Sequence, residues 1–321
     1  MCRIGLTALS VWRSVWVREH ESVQRGRQLL CGALNISDRT VSCRKEVFRM
    51  KWCADVGGVG DGTVAGAIKY VKTLGIEALS VGWAAVPGFQ DKGYVDVEAL
   101  KPMKDEIVAA GVEWGPMVAW APRDLPKGAE ADAHFANLRR NFEAMAAVGT
   151  DTMVMFPPGR NDTPWDEVVE YYTPLVALAT EFKIKMGLHG HGRFMPSKVQ
   201  WQLLNDVPSP YSGLTLCSGN IFHGDGEGMY DATYEFAKAG KVFFVHVRNV
   251  KKGEGEKEYW LDQGDVDLPR YIAALKAGGY DGYVRSEHLP TDTYRSFVPG
   301  GNGVSDIGTA FSLGYMRHLI K

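Results

Sequence analysis

The sequence is short of cysteine, of long apolar runs and of net charge, and each shortage excludes something. Five Cys among 321 residues, an odd number, cannot build a dense disulfide framework and suit a reducing, cytoplasmic setting. No uninterrupted apolar stretch approaches the ~18–20 residues of a membrane-spanning helix, so no membrane partner is expected. A formal charge of −2 gives no overall electrostatic reason to bind nucleic acid. Biased low-complexity tracts are missing too, which excludes collagen-like and wholly disordered chains. What is present is a globular composition, 45% hydrophobic and 23% charged with 37 Gly and 15 Pro. The length allows one large domain or two ordinary ones.

The charge is unevenly spread. Residues 1–49 carry eight Arg and one Lys against four acids (Glu19, Glu21, Asp38 and Glu46), a surplus of +5 that leaves −7 for the rest. Cys2, Cys31 and Cys43 also fall there. The segment shows no sustained period of 3.6 or 2, and Met50-Lys51-Trp52 reads as a natural beginning. The expectation is an N-terminal extension over 1–49, disordered or non-native, ahead of a catalytic domain over 50–321. An Arg-rich targeting leader and an ordered extension are the alternatives.

From Trp52 onward one unit recurs: an amphipathic helix, a Gly, then a short apolar strand. It reads KTLGIEALSVGW at 72–83, AAGVEWGPMVAW at 109–120, AVGTDTMVMF at 147–156, KAGKVFFVHV at 238–247 and KAGGYDGYVRSE at 276–287. Gly suits the residue after a helix, where positive φ is often required. Strands are predicted at Trp52–Val56, Ile76–Gly82, Val112–Ala119, Thr152–Phe156, Lys185–His189, Leu214–Cys217, Val242–Val247 and Gly282–Glu287. A helical segment follows each, the last at Ser305–Ile320. MVMF and VFFVHV are apolar on both faces, as parallel strands covered on each side should be. Eight such units in this length predict a (β/α)8 TIM barrel with an extra N-terminal segment. A doubly wound open sheet is the alternative, but no G-x-G-x-x-G follows the first strand.

In such barrels the chemistry sits at the C-terminal ends of the strands. Strand five ends at His189, strand six at Cys217, strand seven at Val245-His246 and strand eight at Ser286-Glu287-His288. Each alone has an ordinary explanation: a rim histidine, a small buried hydrophobe, an acid paired with a nearby Arg. Together, at the ends of four consecutive strands, two imidazoles, a thiolate and a carboxylate suffice to hold a divalent transition metal with a position left for substrate. Strand residues two apart share a face, so Arg248 follows His246 into the mouth and Arg285 lies below Glu287. Either guanidinium can clamp a substrate carboxylate, with a salt bridge as the plainer role for Arg248. His288 is the candidate for proton transfer, and His191 a weaker candidate at the same mouth. Trp83, Trp120 and Phe156 end strands two, three and four, where they wall the mouth or simply pack. His223–Gly228 reads as a Gly-rich loop over the site, and 251–258 as a solvated mixed-charge surface.

The stretch GDVDLPRYIAALKAGGYDGYVRSEH at 264–288 resembles the end of a xylose-isomerase-like barrel. His189 in GLHGHG, Cys217 in LTLCSGN, His246 in FVHVRN and Glu287 in SEH match the His, Cys, His and Asp metal ligands of the mannonate dehydratases. IGTAFSLGYMRHLIK at 307–321 resembles that family's final helix. The resemblance covers about residues 50–321 and implies a lyase that dehydrates a sugar acid, D-mannonate to 2-keto-3-deoxygluconate or a related aldonate. It further implies Mn²⁺ or Fe²⁺, with Zn²⁺ chemically reasonable, and leaves a homo-oligomer open. Three departures stand out. His189-Gly190-His191-Gly192 replaces the usual His-Pro-Asp-Asp, Glu287 replaces Asp, and Val304 falls where the family has a proton-transferring Tyr, with Tyr294 as a substitute on the same loop. A sugar isomerase or epimerase on the same barrel, a metal-dependent hydrolase or endonuclease, and a non-catalytic sugar-acid-binding barrel are the other readings.

Overall fold

The computed structural model describes residues 49–255, 257–290 and 306–320. The expected extension over 1–49 therefore lies outside the described residues except for Arg49, as do Tyr294 and Val304.

Local rules set the first βα unit. Strand β1 (Lys51–Asp55) leads to helix α1 (Val64–Leu74), whose N-cap Thr63 accepts a hydrogen bond from the Gly66 amide. Val71 turns to the core, and Gly75 ends the helix at φ 67°, a conformation costly for a residue with a Cβ. The chain then enters β2 (Ala78–Gly82). After α2 (Phe89–Lys92) and α3 (Val97–Ala109) come β3 (Glu113–Trp120), α4 (Ala129–Ala147) and β4 (Thr152–Phe156). Helix α5 (Trp165–Glu181), β5 (Lys185–His189), α6 (Ser197–Asp206) and β6 (Ser212–Cys217) follow. The chain closes with α7 (Ser218–Asp225), α8 (Met229–Lys238), β7 (Val242–Val247), α9 (Leu268–Ala277), β8 (Tyr283–Ser286) and α10 (Asp306–Ile320).

All eight strands pair in parallel in sequence order, and β8 returns to β1 to close the barrel. This is the predicted (β/α)8 architecture. Alternation along the strands divides the core in two. Cys53, Ala78, Val118, Val154 and Phe244 pack together in the lumen. Their neighbours Ala54, Leu79, Met153 and Val245 face outward into the larger cluster beneath the helices.

Two expectations are corrected. The glycine with positive φ after α9 is Gly279, at 89°, and not Gly278. Gly278 is needed for a different reason: a Cβ there would lie 2.4 Å from the Cβ of Ala237 and 2.9 Å from the Lys238 nitrogen, so it lets α9 press against α8. His223–Gly228 is not a loop, because α7 runs through Asp225 and a 3-10 turn takes up Gly226–Gly228. The Asp225 carboxylate accepts from the Ser197 amide at the start of α6, and Glu227 pairs with Arg270 at 2.8 Å. Among the described residues no helix is long and apolar enough to cross a membrane.

Candidate metal centre

Strand register explains how side chains from different heights meet. His189 pairs with Thr215, Cys217 with His246, and His246 with Arg285, so the rim climbs around the barrel. Glu287 stands two residues above Arg285, just past β8, where its amide donates to the Val247 carbonyl at 3.0 Å. Its longer side chain then reaches back over the lumen.

The four predicted groups meet there, and all are buried. His189 Nε2 lies 3.2 Å from Glu287 Oε1 and 3.2 Å from His246 Nδ1, which is itself 3.6 Å from Glu287 Oε1. The Cys217 thiol donates to Glu287 Oε2 at 2.9 Å. His191 Nε2 sits 3.0 Å from Nδ1 of His189, fixing that ring from behind. His189, His191 and Glu287 also place one ligand atom each within 4.8 Å of one another and can hold a metal ion. The set with His246 is the tighter of the two, and in it His191 serves as the partner that orients His189.

Burial governs the ionisation of these groups. It lowers His189 well below the usual imidazole value and His246 to about 4, so both rings present lone pairs at neutral pH. Burial, and then the Glu287 charge, raises the Cys217 thiol. Burial also pushes Glu287 up, but the facing imidazoles and the Arg248 guanidinium outweigh it and keep the carboxyl ionised. With neutral rings, that balance rests on imidazole N–H donors and on Arg248. His246 Nε2 is buried with no hydrogen-bond partner among the described residues. Without those imidazole N–H protons, the ring nitrogens' lone pairs and the carboxylate would repel one another unless a cation lay between them.

The other candidates divide. His288 is half exposed on the rim, with Nε2 3.7 Å from Glu287 Oε1. Arg248 is buried just past β7, and its Nη1 is 3.1 Å from Glu258 Oε1. Glu258 comes from the segment expected to be solvated surface; Lys252, Glu254 and Lys257 are exposed as expected, and the expectation is corrected at Glu258, whose side chain is 16% exposed. Arg285 lies in the lumen wall, with Nη1 3.1 Å from Asp55 Oδ2 and 3.4 Å from Ser80 Oγ. Trp120 is 56% exposed and stacks on Phe156 at 5.2 Å, lining a cavity of about 660 Å³ that also borders His191. Trp83 is buried beside Phe89 and lines a separate cavity of about 170 Å³.

Sequence reasoning overlooked Asn249, which fixes the segment carrying Glu258. Buried after β7, it donates to the Leu261 and Val266 carbonyls and accepts from the Val250 and Val266 amides, at 2.8–3.2 Å. Its backbone pairs with Tyr259, next to Glu258. Asn249→Ala leaves those backbone groups without partners, and a destabilisation of about 2–4 kcal/mol is expected. Denaturant titration measures it, and limited proteolysis should show faster cleavage within 250–266.

Eight parallel strands closed into a barrel, with N, S and O side-chain donors gathered at the C-terminal rim, define a (β/α)8 protein whose functional groups lie at the strand ends. Residues 68–297 match the model of the Xylose isomerase-like TIM barrel family, and the chain belongs to that family. It is 30% identical to a mannonate dehydratase of Lactococcus lactis subsp. cremoris over 131 residues, 36% of either chain. It is 27% identical to the mannonate dehydratase of Thermotoga neapolitana over 234 residues, 70% of this chain and 59% of that one. The chain thus spans 36–59% of the length of these curated relatives. The solved mannonate dehydratase of Streptococcus suis serotype2 superposes with a TM-score of 0.70 at 17% identity, covering 85% of this chain and 93% of that one. That last likeness is one of fold.

Proposed function

We propose that the chain is a metal-dependent hydro-lyase that removes water from an open-chain sugar acid, D-mannonate to 2-keto-3-deoxygluconate or a related aldonate. The observation that carries this reading is the convergence of His189, His246 and Glu287 on one buried point, with Cys217 on the second oxygen of Glu287. Metal–ligand bonds of about 2.0–2.3 Å place neighbouring donor atoms about 3–3.5 Å apart, close to the 3.2–3.6 Å found among those three atoms. His189, Cys217, His246 and Glu287 would hold the ion. Mn²⁺ or Fe²⁺ follows from the likeness to mannonate dehydratases, and the N/S/O donor set also suits Zn²⁺.

When bound, such an ion supplies Lewis acidity to the carboxylate and hydroxyl oxygens of the acid, making the weakly acidic C2 proton removable. The chain does the rest. His288 Nε2, on the exposed rim beside Glu287, takes the C2 proton or donates one to the departing C3 hydroxyl. Arg248, its Nη1 fixed by Glu258, orients the substrate carboxylate and keeps Glu287 anionic. Phe156 packs edge-on against His189, ring centroids 4.9 Å apart, and keeps water from that side of the centre. The test is incubation of metal-reconstituted protein with a panel of hexonates, read by formation of a 2-keto-3-deoxy acid. Turnover of at least one hexonate is expected. Epimerised or isomerised product with no loss of water would overturn the reading.

A further inference from the structure

The large cavity beyond the metal centre has features that dehydration alone does not use. It extends from His191 over the loops that follow β3, β4 and β5, and Trp120, Arg123, Phe156, Arg160 and Asn161 line it. Three of its rings form one stack: Trp120 on Phe156 at 5.2 Å and 11°, and Phe156 on His191 at 5.3 Å and 26°. An indole that is 56% exposed yet held flat by a second ring offers an apolar face suited to the C–H surface of a carbohydrate.

The walls are tied to one another. The Gly159 amide donates to the Pro122 carbonyl at 3.0 Å, linking the loops after β3 and β4. Asn161 Oδ1 accepts from the Arg193 amide at 3.0 Å, linking the loops after β4 and β5. The two arginines are not equivalent. Arg160 gives Nε and Nη2 to both oxygens of Asp124 at 2.6 and 2.7 Å, and the lining acid Asp162 also acts on Arg160. Arg123 lies near enough to Asp124 to affect it, but no hydrogen bond or ion pair engages its guanidinium among the described residues. A tied loop thus presents one uncommitted fork to a cavity that none of the four buried ligand-type residues lines.

A second anion meets that fork only if the substrate is charged at both ends. Resting on the proposed dehydration, we infer that this cavity is the distal subsite, with Trp120 stacking on the carbon chain and Arg123 selecting acids that carry a second anionic group. The preferred substrate class is then a six-carbon diacid or a phosphorylated acid rather than a hexonate with a neutral terminal hydroxyl. Both share the distal anion, and the probes separate them.

The experiment compares D-mannonate, the corresponding diacid D-mannarate and 6-phospho-D-mannonate on the metal-loaded chain. Dehydration kinetics and calorimetric binding are both measured, for wild type, Arg123→Met and Trp120→Ala. At least one dianionic probe should exceed D-mannonate in kcat/KM and in affinity by about tenfold or more, as a charge-assisted bond allows. Arg123→Met should abolish that advantage while leaving D-mannonate within about threefold. Trp120→Ala should weaken all three by a similar factor. The ratio of the two dianions identifies which distal group the site accepts. Equal handling of all three acids by wild type, or an equal loss on all three in Arg123→Met, would overturn the subsite. Arg123-dependent binding of a dianion without dehydration supports the subsite and defeats the proposed reaction, whereas dehydration without Arg123-dependent selection does the reverse.

Discussion

Cys217→Ser should yield a folded barrel that has lost most of its metal. The side chains are close in size, and Cys217 is buried at the tip of β6, so packing is nearly conserved. What changes is the donor. A thiol gives up its proton to a divalent transition ion and binds as a soft thiolate, whereas a serine hydroxyl does not ionise under the same conditions. The hydroxyl can still donate to Glu287 Oε2 as the thiol does at 2.9 Å, so the metal-free protein should melt at the wild-type temperature. Even partners that only orient a ligand cost about 10–100-fold in affinity, and a lost ligand should cost at least that. Metal content after gel filtration, set against the melting temperature of both apo proteins, is the measurement. Wild-type stoichiometry in the variant would remove Cys217 from the centre.

His288→Asn should do the opposite, keeping the metal and losing the chemistry. His288 projects from the rim, its Nε2 3.7 Å from Glu287 Oε1, and it takes no part in the buried contacts among His189, His246 and Glu287. Asparagine preserves the polarity of the position but cannot carry a proton to or from substrate. Loss of a positioned acid or base lowers turnover by about 10²–10⁴-fold. KM for a hexonate should change little, because the ion and Arg248 remain to bind the acid. A variant that turns over within about tenfold of wild type would show that another group moves the proton. Together the two substitutions separate holding the ion from using it.

The barrel and the cluster of side chains at its rim were legible because both follow short-range rules. A helix, a glycine and a short apolar strand recur at nearly constant spacing, and parallel strands place their last residues on one rim. His189, Cys217, His246 and Glu287 could be read from strand ends alone. What stayed hidden depends on contacts across the fold. Asp55 had no evident use until closure of β8 onto β1 set it against Arg285, 230 residues away. Glu258 ends a run of mixed charge whose Lys252, Glu254 and Lys257 are solvent-exposed, and its own side chain turns in, to Arg248, beside the segment that Asn249 ties down. Gly224 suggested a loop, yet a Cβ there would lie 2.5 Å from the Pro196 nitrogen, so close packing of a helix explains it. Trp83 and Trp120 look alike in sequence. A 3-10 turn buries the first while β3 carries the second into the large cavity.

Elemental analysis of the purified, reconstituted wild-type chain bears most directly on whether β5 to β8 jointly bind a cation. About one transition-metal ion per chain, removable by a chelator, is predicted for a buried N, S and O donor set of this kind. A chain that stays metal-free after incubation with Mn²⁺, Fe²⁺ and Zn²⁺ in turn would contradict the account.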